Sequence, residues 1–425
     1  MINLKVLKKG MVMKLDGAIT YFSIFMRWIF ISVIIGLITG IIGIIFQRSV
    51  AWANEFRIAH SFLIYCLPIG GLFIILFYRL CKIDPKTGTN LIINSIRSDC
   101  KIPSLLAPLI FFGTVVTHLL GGSAGREGAA LQLGGTIGSQ ISRFLHLDAK
   151  VGNIVVICGM SGVFSALFGT PVTAVFFAME VISVGVIYYA AFVPSILSAL
   201  TAYKISLLLG GKTEQFHLLT VPNITASIVC KVILFASLCG GISIVFCTAM
   251  HKTDHLFQQV LHNDYLRILT GGLLITLLTV VLNTEDYNGA GVSVIERAIG
   301  GIAKPDAFFW KILFTAVTIG AGFKGGEIVP AFFIGATFGC SVGKILGIDP
   351  GFAAALGLIA VFCGSVNCLF TSIVLSVEMF GSEGLILFAI ASGVSYMLSG
   401  NYGLYSSQKI LYSKLKAEFV NLNAK

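Results

Sequence analysis

The chain has 425 residues, 56% of them apolar and 11% charged, and it carries a formal net charge of +10. Its mean hydropathy of +0.93, with charge well below the about 25% usual in soluble domains, excludes a soluble globular protein and predicts a polytopic membrane protein in the lipid bilayer. The positive balance is spread out and no basic patch has a soluble domain to sit on, so nucleic-acid binding is excluded as well.

Residues 1–17 are a short basic, amphipathic lead-in containing Lys5, Lys8, Lys9 and Lys14. From Ala18 to about Ala53 runs an apolar segment longer than the roughly 20 residues of a straight span, which predicts a strongly tilted helix. A second span covers about His60–Leu80. The polar break Asp84–Asn90 follows, then Leu91–Arg97, too short to cross. Spans are predicted near Leu105–Leu120 and Val151–Leu167. Gly169-Thr-Pro171 opens a helix with proline near its first turn, ending about Glu180. Val186–Leu209 closes a first half, and residues 210–223 form a polar connector.

In the second half, His251, His255 and His262 lie in HKTDHLFQQVLHND. The first two have metal-ligand spacing, but no cysteine or carboxylate set completes a site, so the stretch reads as a solvated interfacial loop without a metal. Gly289–Ile299 is again a short segment. LFTSIVLSVE, ending at Glu378, matches PVTAVFFAME, ending at Glu180. These matched elements point to a repeat of about 200 residues, 18–209 and 224–415, with a tail at 416–425. Lys409, Lys414, Lys416 and Lys425 follow the last span, and by the positive-inside rule both termini are cytoplasmic. The ten cysteines show no paired spacing and read as small buried hydrophobes. No cleavable signal is expected, and nothing in the sequence asks for a cofactor.

The stretch that organises the chain is Gly121–Ser139, GGSAGREGAALQLGGTIGS. It lies between apolar runs yet carries Arg126 and Glu127, and an ionisable group at the bilayer centre costs roughly 2.5–3.5 kcal/mol on insertion scales. Its glycines, Gly125 and Gly128 among them, break one helix, and the apolar residues beyond restart another. Free N–H groups and a positive dipole end are thereby aimed at a point inside the membrane, which suits an anion. The device recurs in Gly322–Pro330, GFKGGEIVP, with Glu327, so that Gly122, Gly125, Glu127 and Gly135 align with Gly322, Gly325, Glu327 and Gly335. Two interrupted helices in matching places of two halves point to a transport site near the midplane. Packing faces of small residues would explain the glycines but not the two glutamates.

These motifs resemble the chloride-channel (CLC) family of anion channels and proton-coupled antiporters, over about Ala18 to Leu415. Gly125-Arg-Glu-Gly128 is similar to the family's GREG(P) motif, residues 322–330 to its GxGGxFxP motif, and Gly403-Leu-Tyr405-Ser to the motif bearing its central tyrosine. Thr87-Gly88-Thr-Asn90 stands where GSGIP is usual. The resemblance implies an all-α membrane fold of two inverted repeats with tilted and re-entrant helices, a homodimer with one anion path per subunit, and a transporter rather than an enzyme. It also implies that Glu127 is the gating glutamate and that Tyr405 helps close the inner side. Thr87 replaces the family's serine, Val181 replaces the internal glutamate that relays protons, Ala129 replaces the proline after GREG, and Glu327 brings an additional carboxylate. Those departures resemble the bacterial fluoride/proton antiporter branch, which implies the bacterial inner membrane. Val329 stands where that branch often has threonine. A chloride channel or chloride/proton antiporter is the alternative within the family, and an intramembrane enzyme, for which no nucleophile–base pair is evident, is the alternative outside it.

The chemistry of the residues agrees. Taking an anion into a low-dielectric interior costs of order 20 kcal/mol in the idealised Born limit. The expected replacements for its hydration are the Thr87 hydroxyl, the Tyr405 phenol, the Asn90 amide, and the backbone around Gly88, Gly125, Arg126, Gly128, Gly326, Ile328 and Val329. Glu127 and Glu327 would repel the anion when ionised and admit it when protonated, which links fluoride or chloride to protons. The competing local readings are an ion pair of Lys324 with Glu327, a helix cap by Thr87, and an interfacial belt position for Tyr405.

Overall fold

The computed structural model describes residues 4–98, 100–213 and 215–425, with side chains from Ile19 onward. The lysine-bearing lead-in at 1–17 therefore lies outside the described side chains. The first half holds α1 (Leu4–Ala59), α2 (Leu67–Leu80), α3 (Thr89–Arg97), α4 (Leu106–Leu119), α5 (Glu127–Phe144), α6 (Ala149–Phe168), α7 (Pro171–Glu180) and α8 (Phe192–Leu208). The second half repeats the order as α9 (Ala226–Val260), α10 (Asp264–Leu282), α11 (Val292–Ile299), α12 (Ala307–Gly320), α13 (Ile328–Leu346), α14 (Pro350–Val366), α15 (Leu369–Phe380) and α16 (Leu385–Leu398). Seven helices among the described residues are long and apolar enough to cross a bilayer. The others, such as α3 and α11, are short elements carried inside the bundle.

The two halves pack alike. α5 lies on α6 as α13 lies on α14, and α1 lies on α8 as α9 lies on α16. Small residues permit the closest of these contacts. A Cβ on Gly134 would stand 2.2 Å from the Gly159 carbonyl oxygen, and one on Gly335 would stand 2.3 Å from that of Gly357. The packing explanation of the glycines thus holds for the bodies of these helices, while the loops before them need another.

α7 and α15 meet across the interface between the halves, and each carries in its last turn a glutamate that caps the other. The Glu180 carboxylate accepts from the N–H groups of Phe370 (3.1 Å) and Thr371 (2.9 Å) and from the Thr371 hydroxyl (2.6 Å). Glu378 accepts from the N–H groups of Val172 (3.0 Å) and Thr173 (2.8 Å). Each carboxylate satisfies N–H groups that a helix start leaves open and sits at the favourable dipole end. Such reciprocal capping requires the two equivalent helices to run antiparallel, so the repeats are inverted.

Three expectations need correction. His251 and His255 lie within α9 rather than in a loop, because the apolar periodicity of that helix continues to Val260; the His251 ring lies 2.8 Å from the Gly403 carbonyl oxygen. Residues 416–425 are not a free tail. β1 (Ser183–Val184), β2 (Lys409–Tyr412) and β3 (Phe419–Asn423) form one sheet, parallel between β1 and β2 and antiparallel between β2 and β3. The third correction concerns the register of the two motifs.

Candidate functional site

The loop after α4 and the loop after α12 meet at the centre of the molecule. Gly125 N–H donates to the Gly326 carbonyl at 2.7 Å, and Gly326 N–H donates to the Gly125 carbonyl at 2.8 Å. Behind this bridge, Ser123 N–H donates to the Thr318 hydroxyl (3.1 Å) and Lys324 N–H to the Thr117 hydroxyl (3.2 Å). Each loop leaves its helix through a glycine in the left-handed region, Gly121 at φ +87° and Gly322 at φ +108°. Gly121 with Gly322, Thr117 with Thr318 and Gly125 with Gly326 are all 201 positions apart. The sequence alignment at 200 is therefore one residue out. By the molecular two-fold, Glu127 corresponds to Ile328, and Glu327 to Arg126. The run of glycines in both motifs allows either register by eye, and only the backbone pairing separates them.

Glu127 is the first residue of α5 and is fully buried. One carboxylate oxygen, Oε2, accepts from Arg126 N–H (3.0 Å) and from Val329 N–H (3.2 Å). The Val329 N–H is one of the donors that the start of α13 leaves without an intrahelical partner. The Glu127 carboxylate thus stands at a helix N-terminus where a free anion would be held. Gly125 makes room for it, since a Cβ there would lie 2.2 Å from Oε2.

Glu327 is the residue immediately before α13. Its Oε2 is buried and has no hydrogen-bond partner among the described residues. A Cβ on Gly128 would stand 3.1 Å from that oxygen, so Gly128 leaves the space it occupies. Glu327 lines a cavity of about 300 Å³ together with Thr87, Gly88, Asn90 and Tyr405. The Tyr405 hydroxyl is likewise buried without a partner among the described residues. Tyr405 is therefore inside the cavity wall, not on an interfacial belt.

Thr87 does not cap the short helix. Gly88 takes that position and α3 has no side-chain cap. Asn90 Oδ1 accepts from Ser407 N–H at 3.0 Å, which ties the Tyr405 segment to α3. The anticipated partnership of Lys324 with Glu327 is also absent. The Lys324 ammonium donates to the Pro85 carbonyl and lies 4.6 Å from the centroid of the Tyr78 ring. Arg126 contributes its N–H to the Glu127 carboxylate, but its side chain leaves the cavity. Its guanidinium is 5.5 Å from the Phe168 ring centroid and lines a separate cavity with Arg48 and Lys212. As the residue before α5, it points its N–H at the helix start and its side chain away. Ile328 and Val329 are buried apolar side chains, so anything they offer an ion is backbone.

Two participants escaped sequence reasoning. Thr89 donates to the Gly128 carbonyl (3.4 Å) and accepts from the Gln132 amide (3.2 Å), joining α3 to the first turns of α5. Their signal is faint, a threonine beside Thr87 and a lone glutamine in an apolar helix. The assembled geometry sets Glu327, Thr87 and Tyr405 on one cavity and the neighbouring Glu127 on the N–H groups of Arg126 and Val329.

A profile of the family described as "Voltage gated chloride channel" matches residues 70–400. This chain belongs to that family. Among proteins similar to this CLC chain is a "Chloride/fluoride channel protein" of Pseudomonas syringae pv. tomato, 32% identical over 395 residues, covering 91% of this chain and 87% of the relative. An H+/Cl− exchange transporter of Vibrio cholerae is 26% identical, covering 91% of this chain and 90% of its own. Among solved structures, that of a CLC-type fluoride/proton antiporter superposes with a TM-score of 0.87 at 31% identity, covering 90% of this chain and 98% of the other. A slow cyanobacterial Cl−/H+ antiporter shares the fold at a TM-score of 0.76 and 18% identity, covering 88% and 94%.

Proposed function

We propose that this CLC protein exchanges fluoride for protons and thereby exports fluoride across the plasma membrane, in bacteria the inner membrane, as a homodimer with both termini in the cytoplasm. The observation that carries the reading is the pair of neighbouring carboxylates at the meeting of the two loops. Glu127 occupies the Val329 N–H donor at the start of α13, and Glu327 stands beside it with a buried oxygen that has no partner among the described residues, on the same cavity as Thr87 and Tyr405. When Glu127 is ionised it competes with an anion for that donor; once protonated it has no charge to hold there, and the anion takes its place. Occupancy by anion and occupancy by carboxylate exclude each other, which is the condition for exchange. The small, strongly hydrogen-bonding fluoride draws most from such donors, and Glu327 is placed to take up and release the proton that moves the opposite way. The fluoride/proton antiporter that superposes over most of the chain and the chloride/fluoride relative support the choice of ion.

The test is the purified chain in liposomes, monitored with fluoride and chloride electrodes and a pH indicator. Fluoride flux exceeding chloride flux, with protons moving the opposite way, is expected. Equal or greater chloride flux would instead assign the protein to chloride transport.

A further inference from the structure

We propose that Lys324 is the residue that sets anion affinity at the mouth of the site, through its charge on the wall of the Glu327 cavity. This inference rests on the reading of the chain as an anion exchanger.

The cavity wall carries three cations, Lys86, Arg267 and Lys324. Their surroundings differ. Arg267 is ion-paired with Asp264, 2.8 Å away, a carboxylate it shares with Arg79. Lys86 is exposed and hydrogen-bonds Gln258 at 3.2 Å. Lys324 is 8% exposed and forms no ion pair among the described residues. Its ammonium rests on the Tyr78 ring and one backbone carbonyl, two partners that hold a cation without cancelling its charge. A buried charge of this kind acts at low dielectric and is screened little by salt. Two acids, Asp254 and Glu327, face the same cavity, and Lys324 is the buried cation on that wall that meets them without an ion pair of its own among the described residues.

The two-fold sharpens the argument. Lys324 and Ser123 make the same backbone contact in the two halves, yet the Ser123 side chain is a buried hydroxyl 3.1 Å from the Thr315 hydroxyl. Fold alone therefore does not ask for a cation at this place. The lysine is an addition on the side where Glu327, Thr87 and Tyr405 open onto the cavity. Gly113 accommodates it, since a Cβ there would stand 2.7 Å from Lys324 Cγ. Through Pro85 it also fixes the loop that presents Thr87 and Gly88.

Charge and tether separate by substitution. Lys324→Gln retains a donor for the Pro85 carbonyl without the charge, and Lys324→Arg retains the charge. The initial rate of fluoride transport by the reconstituted full chain is measured against fluoride concentration. Lys324→Gln is expected to raise the half-saturating concentration roughly tenfold with little change in maximal rate, as loss of one nearby charge implies. Lys324→Arg should stay near wild type. Lys324→Met, also uncharged, takes the place of the glutamine variant if that one does not fold. A wild-type half-saturation in the uncharged variant overturns the proposal, as does an equal fall in maximal rate for Gln and Arg variants with half-saturation unchanged. Wild-type protein that carries neither fluoride nor chloride would instead refute the transport reading itself.

Discussion

Replacing Glu127 by glutamine tests the gate where its energetics can be worked out. In the wild type one carboxylate oxygen accepts two backbone N–H groups, from Arg126 and Val329. Hydrogen bonds to a charged acceptor contribute about 1.5–3 kcal/mol each and neutral ones about 0.5–1.5, so removing the charge weakens the hold by roughly 2–3 kcal/mol over the two bonds. Since 1.4 kcal/mol is tenfold, the side chain should compete with an incoming anion roughly 30- to 150-fold less well. An amide also carries no proton through the cycle. Liposomes loaded with fluoride, followed by electrode and pH indicator together, should therefore show a lower half-saturating fluoride concentration for Glu127→Gln and no proton movement coupled to the anion. A proton-to-fluoride ratio equal to wild type would remove Glu127 from the mechanism, and an unchanged half-saturation would show that its carboxylate does not occupy the anion's place.

Glu327→Gln should abolish or uncouple exchange while yielding a folded, extractable protein, because the unpartnered Oε2 makes no structural bond that an amide would break; wild-type rate and ratio in that variant would send the proton by another route. Glu180→Ala should do the opposite, lowering thermal stability in detergent by roughly 2–4 kcal/mol through the N–H groups of Phe370 and Thr371 left uncapped, with coupling intact in the protein that survives. An unshifted melting temperature there would refute the capping role.

Much of this architecture could be read in the sequence because the bilayer leaves few choices. The apolar runs became helices, Pro171–Glu180 to the residue, although the first begins at Leu4 and ends at Ala59 rather than spanning Ala18 to about Ala53, and the one expected from Val186 begins at Phe192; the glycine-rich breaks became the loops that meet at the centre. What could not be read was anything that depends on a partner distant in sequence. Glu180 and Glu378 were recognisable as matched positions, but only the antiparallel meeting of α7 and α15 gives them their occupation as each other's caps. Lys324 stands three residues before Glu327, an ideal spacing on a helix. The backbone there is a loop, so the spacing places no contact, and the ammonium turns to Pro85 instead.

The one-residue register between the motifs changes how the site is understood. Had Glu127 and Glu327 been equivalent, the position would hold two copies of one gate, each lying on the N–H groups of the opposite half. The pairing of Gly125 with Gly326 forbids this. Glu127, inside the first turn of α5, reaches across to a donor of α13, whereas the corresponding residue of the second half is Ile328, which can return nothing of the kind. Glu327 comes one position earlier, at the place of Arg126, whose side chain leaves the site altogether. The first half thus supplies a carboxylate that lies on the Val329 N–H, and the second half supplies that donor together with a carboxylate that accepts no such bond across the halves. An inverted repeat gives both sides of the membrane the same scaffold, and these unequal side chains at nearly equal positions are what the proposed exchange requires, one carboxylate as its gate and the other as its proton carrier.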